Sequence, residues 1–250
     1  MITRKELEDY AKTRNIQNIG HTEKDYFQTV LLFIIYQSYG DELIFKGGTA
    51  LSKCFGMPRF SEDLDFSSKE KIYLKKIEDG LKRFKIEYEI ETEEYTDGLK
   101  ITIRLKGPLY IGIKNSLCKL IIDISLREQV LLAPEIKTLG RHLEEIPAFD
   151  VVVMQQKEIF AEKIRAIMTR NKARDIYDLF FLLNNGISFD KNLAEEKLKY
   201  YKKSWTHKAF VEALSDKKEI WLSELSPLVL SVPPFDEVKR AVLKRVLEGT

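Results

Sequence analysis

The strongest constraint on the fold is a change of pattern at Gln155. Before it, short segments alternate apolar and polar residues and are separated by turn residues, which is typical of strands. After it, apolar residues recur at helical spacing, and Pro233-Pro234 marks a break before a final helix. The sequence therefore predicts an α+β fold, with a front half, 1–154, built on a mixed or antiparallel sheet and a helical back half, 155–250.

Local patterns predict the elements of the front half. Thr22-x-x-Asp25 fits the cap of a helix over 23–39. Two alternating segments joined through Asp97-Gly98 are typical of a hairpin. The predicted strands are 41–45, 64–67, 85–91, 99–105, 119–126 and 151–154, and the remaining predicted helices are a brief one over 51–55 and a lysine-rich surface helix over 69–83.

The charge balance narrows the class of partners. The chain has 41 basic and 39 acidic residues, a net charge of +2. A chain that binds nucleic acid over its whole surface is usually more basic, so we expect such contact only at a local patch.

The longest apolar stretch, Val30–Tyr36, is far too short to cross a bilayer, which predicts a cytoplasmic chain without a membrane partner.

Two consecutive glycines separate the predicted strand 41–45 from the helix 51–55. Gly47 and Gly48 let the backbone approach a ligand closely, and the amides at the start of the following helix suit phosphate oxygens. Thr49 adds a hydroxyl group and Lys53 a positive charge. The pattern alone also fits a plain tight turn.

A pair of aspartates follows fifteen positions after the glycines. On a strand, Asp63 and Asp65 project from one face with their Cα atoms roughly 6.5 Å apart. Adjacent carboxylates repel unless a cation lies between them, and Mg²⁺ (or Mn²⁺) prefers such oxygen ligands. Taken alone, the pair fits a solvated acidic loop equally well.

A third aspartate interrupts an apolar strand. Asp123 stands within Leu120–Ile124, where a buried carboxylate is costly unless it is paired or binds a metal; on an alternating strand it would instead point to solvent. Three aspartates beneath a glycine loop make a consistent two-metal site for phosphoryl displacement.

The helical half contains further charged candidates. Lys163 lies on the apolar stripe of its predicted helix, so it either reaches an NTP phosphate or extends its amine to solvent. Asp175 is a candidate for contact with the nucleotide or a basic side chain, whereas Arg174 and Asp178 also fit a surface pair at i,i+4. The stretch Lys197–Lys203, with Trp205 nearby, fits either an RNA-end contact or a solvated helix face.

Four motifs together resemble one family. They are Gly47-Gly48-Thr49-Ala50-Leu51, Arg59-x-Ser61-x-Asp63-Leu64-Asp65-Phe66, Lys163-x-x-Ala166 and Arg174-Asp175-x-x-Asp178. In order and spacing they are similar to the AbiEii/AbiGii abortive-infection toxins, minimal nucleotidyltransferases of the DNA polymerase β superfamily. The resemblance covers roughly 23–183.

The resemblance implies a DNA polymerase β-like nucleotidyltransferase core, a helical C-terminal part, NTP and Mg²⁺ binding, and a toxin partnered with an antitoxin. By motif position it implies that Gly48 and Thr49 bind the triphosphate and that Asp63 and Asp65 bind metal. Asp123 corresponds to the third carboxylate of the superfamily.

We therefore expect transfer of a nucleoside monophosphate from an NTP to a hydroxyl acceptor, with an RNA terminus such as that of tRNA favoured. Asp123 would bind metal or help deprotonate the acceptor. The helical half would contribute Lys163 and Asp175 to a cleft. The residues expected to bind the nucleotide are Gly47, Gly48, Thr49, Lys53, Ser61 and Lys163. A non-catalytic nucleotide-binding module and a kinase-like phosphoryl transferase are the alternative functions.

Overall fold

The computed structural model describes residues 2–127, 129–141, 143 and 145–247. In this part of the chain seven strands form one sheet: β1 (Leu43–Lys46), β2 (Leu64–Ser68), β3 (Tyr88–Tyr95), β4 (Gly98–Leu105), β5 (Cys118–Ser125), β6 (Glu135–Leu139) and β7 (Phe149–Val153). The helices are α1 (Arg4–Arg14), α2 (Ile19–Tyr39), α3 (Gly47–Phe55), α4 (Lys75–Arg83), α5 (Gln156–Thr169), α6 (Arg174–Asn184), α7 (Lys191–Lys199), α8 (His207–Ser215), α9 (Lys218–Leu225) and α10 (Phe235–Leu247).

The sheet is mixed, with the strand order β3-β4-β5-β2-β1-β7-β6. The pairs β2–β5 and β1–β7 are parallel, and the other neighbouring pairs are antiparallel. The prediction of an α+β fold with a mixed sheet is confirmed. After β7, every regular element in the described residues is a helix, as the pattern beyond Gln155 predicts.

Several element boundaries differ from the predictions. Helix α2 begins at Ile19 rather than at residue 23, because the side chain of Asn18, not Thr22, caps it by accepting a hydrogen bond from the His21 amide at 3.0 Å. Helix α3 begins directly at Gly47, and α4 begins only at Lys75. Helix α1 and the edge strand β6 were not predicted.

The core of the sheet forms where aromatic and aliphatic side chains meet α2. Fourteen residues of α2 are buried, and the rings of Phe45 on β1 and Phe66 on β2 lie 5.4 Å apart. The acidic side chain of β2, that of Asp65, alternates with the apolar ones of Leu64 and Phe66, since successive residues of a strand face opposite sides. Burial of the apolar face therefore fixes the side on which Asp65 lies.

The chain forms two compact units. The sheet unit comprises the described residues of Met1–Cys54, Glu62–Gln129 and Pro134–Val153. The helical unit comprises those of Phe55–Ser61, Val130–Ala133 and Met154–Thr250. Within the described residues, no helix has both the length and the apolar character needed to cross a membrane.

Candidate nucleotidyltransferase site

The first glycine of the predicted phosphate loop is required by its surroundings. Gly47 follows β1 with a φ of +75°, a backbone conformation that side chains disfavour. A Cβ atom added there would overlap the Asp65 carboxylate and would lie 3.0 Å from its Cγ atom. The glycine loop at Gly47 therefore lies directly against the Asp65 carboxylate, as expected if the glycine motif and the aspartate motif form one site.

Charged residues form one row across the centre of the sheet. Asp65 and Asp123 are direct Cα partners on the parallel strands β2 and β5. Lys46 on β1 is the antiparallel partner of Asp65, and Lys100 on β4 is that of Asp123. Because partners in register share a face of the sheet, the two carboxylates lie side by side with a lysine in register on either flank.

The apolar neighbours of the two acids identify the faces of the strands. Leu64 and Phe66 on β2, and Ile122 and Ile124 on β5, are buried, whereas Asp65 and Asp123 are half-buried. Asp123 therefore lies on the more open face of an alternating strand, and not within the apolar core. Adjacent strands are about 4.8 Å apart, so both carboxylates can reach one small cation.

Asp63 and Thr49 connect the loop to the acidic strand. Asp63 stands one residue before β2 and is half-buried. The hydroxyl group of Thr49, on the first turn of α3, donates to the Asp63 backbone carbonyl. This bond joins α3 to the segment before β2 and uses the hydroxyl proton of Thr49. The remaining donor of Thr49 is its backbone amide, which lies in the first turn of α3, where amides have no acceptor within their own helix.

Tyr95 is a site residue that sequence reasoning missed. Its hydroxyl group donates to Asp123 Oδ1 at 2.7 Å, and the Arg127 guanidinium lies 5.8 Å from the centre of its ring. Gly98, the cross-strand partner of Tyr95, provides the space for the ring, because an added Cβ would lie 2.5 Å from the ring atoms. Burial, the bond to Asp123 and the charge of that carboxylate raise the pKa of Tyr95, so its hydroxyl stays protonated.

The amine of Lys53, a predicted phosphate-binding group, binds side-chain and backbone oxygens of the protein. Its amine contacts Asp25 Oδ1 at 2.8 Å, the Asp25 backbone oxygen at 3.1 Å and Thr29 Oγ1 at 3.0 Å. These three acceptors account for its three protons. Burial raises the pKa of Asp25, but the charges of Lys53 and Arg14 outweigh it and lower that pKa to about 2.

The donor set fits a divalent cation that arrives with its substrate. Among the described residues, no group of three or more His, Cys, Asp or Glu side chains forms a metal-binding cluster by itself. Mg²⁺ is commonly held by one or two protein carboxylates, with the substrate phosphates completing its shell. Asp65, which lies against Gly47, and its register partner Asp123 could provide two such ligands.

In the helical unit, the two remaining motifs form a buried ionic network. Lys163 Nζ contacts Asp175 Oδ1 at 2.9 Å and Asp178 Oδ2 at 2.6 Å. Arg59 binds Asp178 through two nitrogens, at 2.8 and 3.0 Å, and Arg170 binds Asp175 at 2.8 and 2.9 Å. Both aspartates are 0% exposed.

This network corrects one interpretation of the sequence. The interpretation of Arg174 and Asp178 as a surface pair is wrong, because Asp178 is buried and its partners are Arg59 and Lys163. Burial opposes ionisation of Asp178, but its two cationic partners lower the pKa overall. Lys163 is itself only 6% exposed, so its amine does not extend to solvent. Ser61, in the same unit, is also buried.

The basic and aromatic stretch 197–205 begins in α7 and is buried at both ends. Lys197 is buried and pairs with Glu158 Oε1 at 2.6 Å. The ring of Trp205 is buried 4.6 Å from that of Phe189 and 4.9 Å from that of Phe210. These two residues therefore face neither solvent nor an RNA end, whereas Lys199, Tyr200, Lys202 and Lys203 between them are exposed.

Known structures share this fold at low sequence identity. MenT4, a nucleotidyltransferase toxin from Mycobacterium tuberculosis H37Rv, superimposes with a TM-score of 0.65 at 20% identity over 98% of this chain and 88% of that one. JHP933 from Helicobacter pylori gives a TM-score of 0.63 at 18% identity over 90% of this chain and 89% of that one. A search of curated protein sequences found no match.

A family model covers most of the chain. The model described as "Nucleotidyl transferase AbiEii toxin, Type IV TA system" matches residues 30–241. The matched region includes the glycine loop, the three aspartates and the buried network of the helical unit. The family resemblance of the sequence motifs is therefore confirmed. The chain belongs to the AbiEii family of nucleotidyltransferase toxins and is a nucleotidyltransferase.

Proposed function

We propose that the enzyme transfers a nucleoside monophosphate from an NTP to a hydroxyl group of an acceptor, with release of pyrophosphate. The observation that carries the proposal is that Asp65 lies directly against Gly47 and is in register with Asp123. This arrangement supplies oxygen ligands for a cation and backbone amides for phosphates within one short stretch of the sheet unit.

Each part of the site has a chemical task. The backbone amides of Gly47, Gly48 and Thr49 bind phosphate oxygens of the NTP. Asp63, Asp65 and Asp123 would hold Mg²⁺, and Mn²⁺ suits the same oxygen ligands. When bound, such an ion offsets charge on the phosphates and favours the ionised form of the attacking oxygen.

The transfer step conserves atoms and charge. The acceptor oxygen forms a bond to the α-phosphorus while the bond from that phosphorus to the bridging α,β-oxygen breaks, and pyrophosphate leaves with that oxygen. The acceptor proton passes to solvent or to Asp123, the carboxylate whose position is fixed by Tyr95. Holding the reactants in line accounts for much of the rate enhancement in such reactions.

Lys163, Asp175 and Ser61 stay predicted participants in nucleotide binding. Lys163 and Asp175 already neutralise each other within the helical unit. If Lys163 contacts the nucleotide, it does so from a position that its ion pair with Asp175 holds fixed. Lys53, with its protons directed to Asp25 and Thr29, is not included in the proposed phosphate contacts.

We further propose an RNA terminus, such as the 3′ end of tRNA, as the acceptor, and a cognate antitoxin as a protein partner in the cytoplasm. The family supports the toxin–antitoxin part of this proposal. The acceptor proposal rests on the family resemblance of the motifs, and the small net charge restricts any contact with RNA to a local patch.

Parallel labelling of the NTP at the α- and the γ-phosphate tests the reaction type. The enzyme is incubated with each labelled NTP, Mg²⁺, total RNA and total protein, and the products are separated by size. We expect α-label on RNA and no γ-label. Label from the γ-phosphate alone would identify a kinase-like reaction, and tight Mg-NTP binding without transfer of either label would identify a binding module.

A further inference from the structure

A polar cavity lies within the sheet unit, apart from the glycine loop. Its volume is about 110 Å³, and α1, α2, α3, the end of β6 and the segment after β6 line it. The polar side chains in its wall are those of Tyr10, Arg14, Thr29, Lys53, Thr138 and Arg141. Neither Gly47–Thr49 nor the three aspartates belong to this wall.

The hydroxyl protons in the wall are already donated within the protein. Tyr10 donates to Asp25 Oδ2 at 2.6 Å, and Thr29 donates to the Asp25 backbone oxygen at 2.9 Å. Thr138 donates to Asp150 Oδ1 at 2.7 Å. The hydroxyl groups therefore offer only lone pairs to an occupant of the cavity.

The arginines supply the remaining side-chain donors. The guanidinium of Arg14 contacts Asp25 Oδ2 through Nε at 3.4 Å and also interacts with the Tyr10 hydroxyl oxygen, and with five N–H groups it keeps donors for another acceptor. Arg141 is exposed, and within the described residues it forms no hydrogen bond or ion pair. Each arginine can present two parallel N–H groups to an oxyanion.

The local charge favours an anion. Arg14, Lys53 and Arg141 contribute three positive charges to the wall, and Asp25 behind it and Asp150 beside Thr138 contribute two negative charges. The lowered pKa of Asp25 keeps that carboxylate ionised at neutral pH, and one surplus positive charge still remains. A compact anion lowers the electrostatic energy of the cavity, whereas a cation or an apolar group does not.

We propose that this cavity binds a single phosphate group, either inorganic phosphate or the terminal phosphate of a monoester, between Arg14 and Arg141. Its volume corresponds to a few water molecules at about 30 Å³ each, which suits one tetrahedral oxyanion, and the rest of a monoester would extend out of the cavity. The inference is independent of the proposed reaction, because the two sets of residues do not overlap.

Calorimetric titration of the full chain with inorganic phosphate, in chloride buffer with EDTA, tests this inference. We expect saturable binding at one site. Arg141→Ala is expected to weaken it at least about tenfold, the scale of one charge-assisted hydrogen bond. Lys82→Ala, which removes one exposed positive charge on α4, is expected to leave it unchanged. Arg14→Gln is a second test from the opposite wall.

Two further arms identify the ligand and its location. Binding of adenosine monophosphate with the same dependence on Arg141 would assign a phosphate monoester, and binding of inorganic phosphate alone would assign the free ion. Either result supports the site. Absence of phosphate binding in the wild type, or binding that survives both arginine variants and is displaced by a saturating non-hydrolysable NTP with Mg²⁺, would overturn it.

Discussion

Asp65 on β2 and Asp123 on β5 are paired in register across a parallel strand pair, so that two carboxylates lie side by side in the middle of a seven-stranded sheet. Like charges at this separation repel, and a protein selected for stability alone gains nothing from the pair. Lys46 and Lys100 stand in register on the outer sides of the two acids, so the row across the sheet reads lysine, aspartate, aspartate, lysine.

Substitution of Gly47 by alanine is expected to disrupt both the fold and the reaction. The new Cβ would meet the Asp65 carboxylate, and the residue would also carry the strain of its positive φ. Gly56→Ala is the matched control, because Gly56 has a φ of +77° and nothing within 4 Å of an added Cβ.

We expect Gly56→Ala to lower the free energy of unfolding by about 1 to 2 kcal/mol with activity retained. Gly47→Ala is expected to cost more stability and nearly all transfer activity. Urea unfolding and NMP transfer measured on both variants would check this. Equal effects of the two substitutions would show that the contact with Asp65 is unimportant.

Tyr95→Phe is expected to weaken metal-dependent activity without unfolding the sheet. The substitution removes the hydroxyl group that donates to Asp123 and keeps the ring that Gly98 accommodates. We expect kcat to fall roughly tenfold, in line with a hydrogen bond to a charged group, and the Mn²⁺ concentration for half-saturation to rise.

Binding of Mn²⁺, followed by electron paramagnetic resonance, separates this role from a structural one. Tyr88→Phe, earlier on the same strand, is the control. If Tyr95→Phe lowers only the melting temperature and leaves Mn²⁺ binding at the wild-type level, Tyr95 supports the fold and does not position Asp123.

Asp178→Asn is expected to destabilise the helical unit strongly. The change leaves Arg59 and Lys163 without part of their buried counter-charge, and breaking such a pair from one side typically costs about 3 to 5 kcal/mol. Arg174→Ala, the other half of the surface pair that the sequence suggested, is expected to change stability by less than about 1 kcal/mol. Comparable losses in urea unfolding for both variants would contradict the buried network.

The Asp25 cluster is expected to make stability fall in acid. The pKa of Asp25 is about 2 in the folded protein, against roughly 3.9 in an unfolded chain, so the folded state binds the proton less readily. The stabilisation is complete above the unfolded pKa and is lost as pH falls from about 4 toward 2.

Asp25→Asn removes this contribution and is the comparison variant. The difference in unfolding free energy between wild type and variant should shrink by about 2 kcal/mol from pH 5 to pH 2. Chemical unfolding at several pH values would measure it. A difference that is constant with pH would show that Asp25 has an ordinary pKa in the folded protein.

Local sequence patterns were sufficient to predict the helices and strands that are specified by residues close together in the sequence. The hairpin of β3 and β4, the apolar helix α2 and the helices after Gln155 follow from periodicity and turn residues. Helix α1 lacks a clear apolar stripe, with only Leu7 and Tyr10 buried, and β6 is a short edge strand with one side exposed. Their patterns are too weak to identify without the sheet.

The site could be predicted only where its residues form motifs. The pairing of Tyr95 with Asp123 joins residues 28 positions apart, and that of Lys53 with Asp25 joins residues on two different helices. Such contacts depend on strand register and helix packing, which a single sequence does not fix. For the same reason the sequence does not reveal that Asp178 is buried, because its partner Arg59 lies 119 positions away along the chain.

The most direct test of the proposed site is transfer of α-labelled nucleotide by Asp65→Asn and Asp123→Asn, with Asp79→Asn as a control on the exposed face of α4. We predict that each site variant stays folded, because asparagine keeps the size and polarity of the half-buried aspartate side chain, and loses at least about a hundredfold in transfer rate. The control should keep full activity. Transfer at the wild-type rate by either folded site variant would contradict the assignment of Asp65 and Asp123 to the catalytic centre.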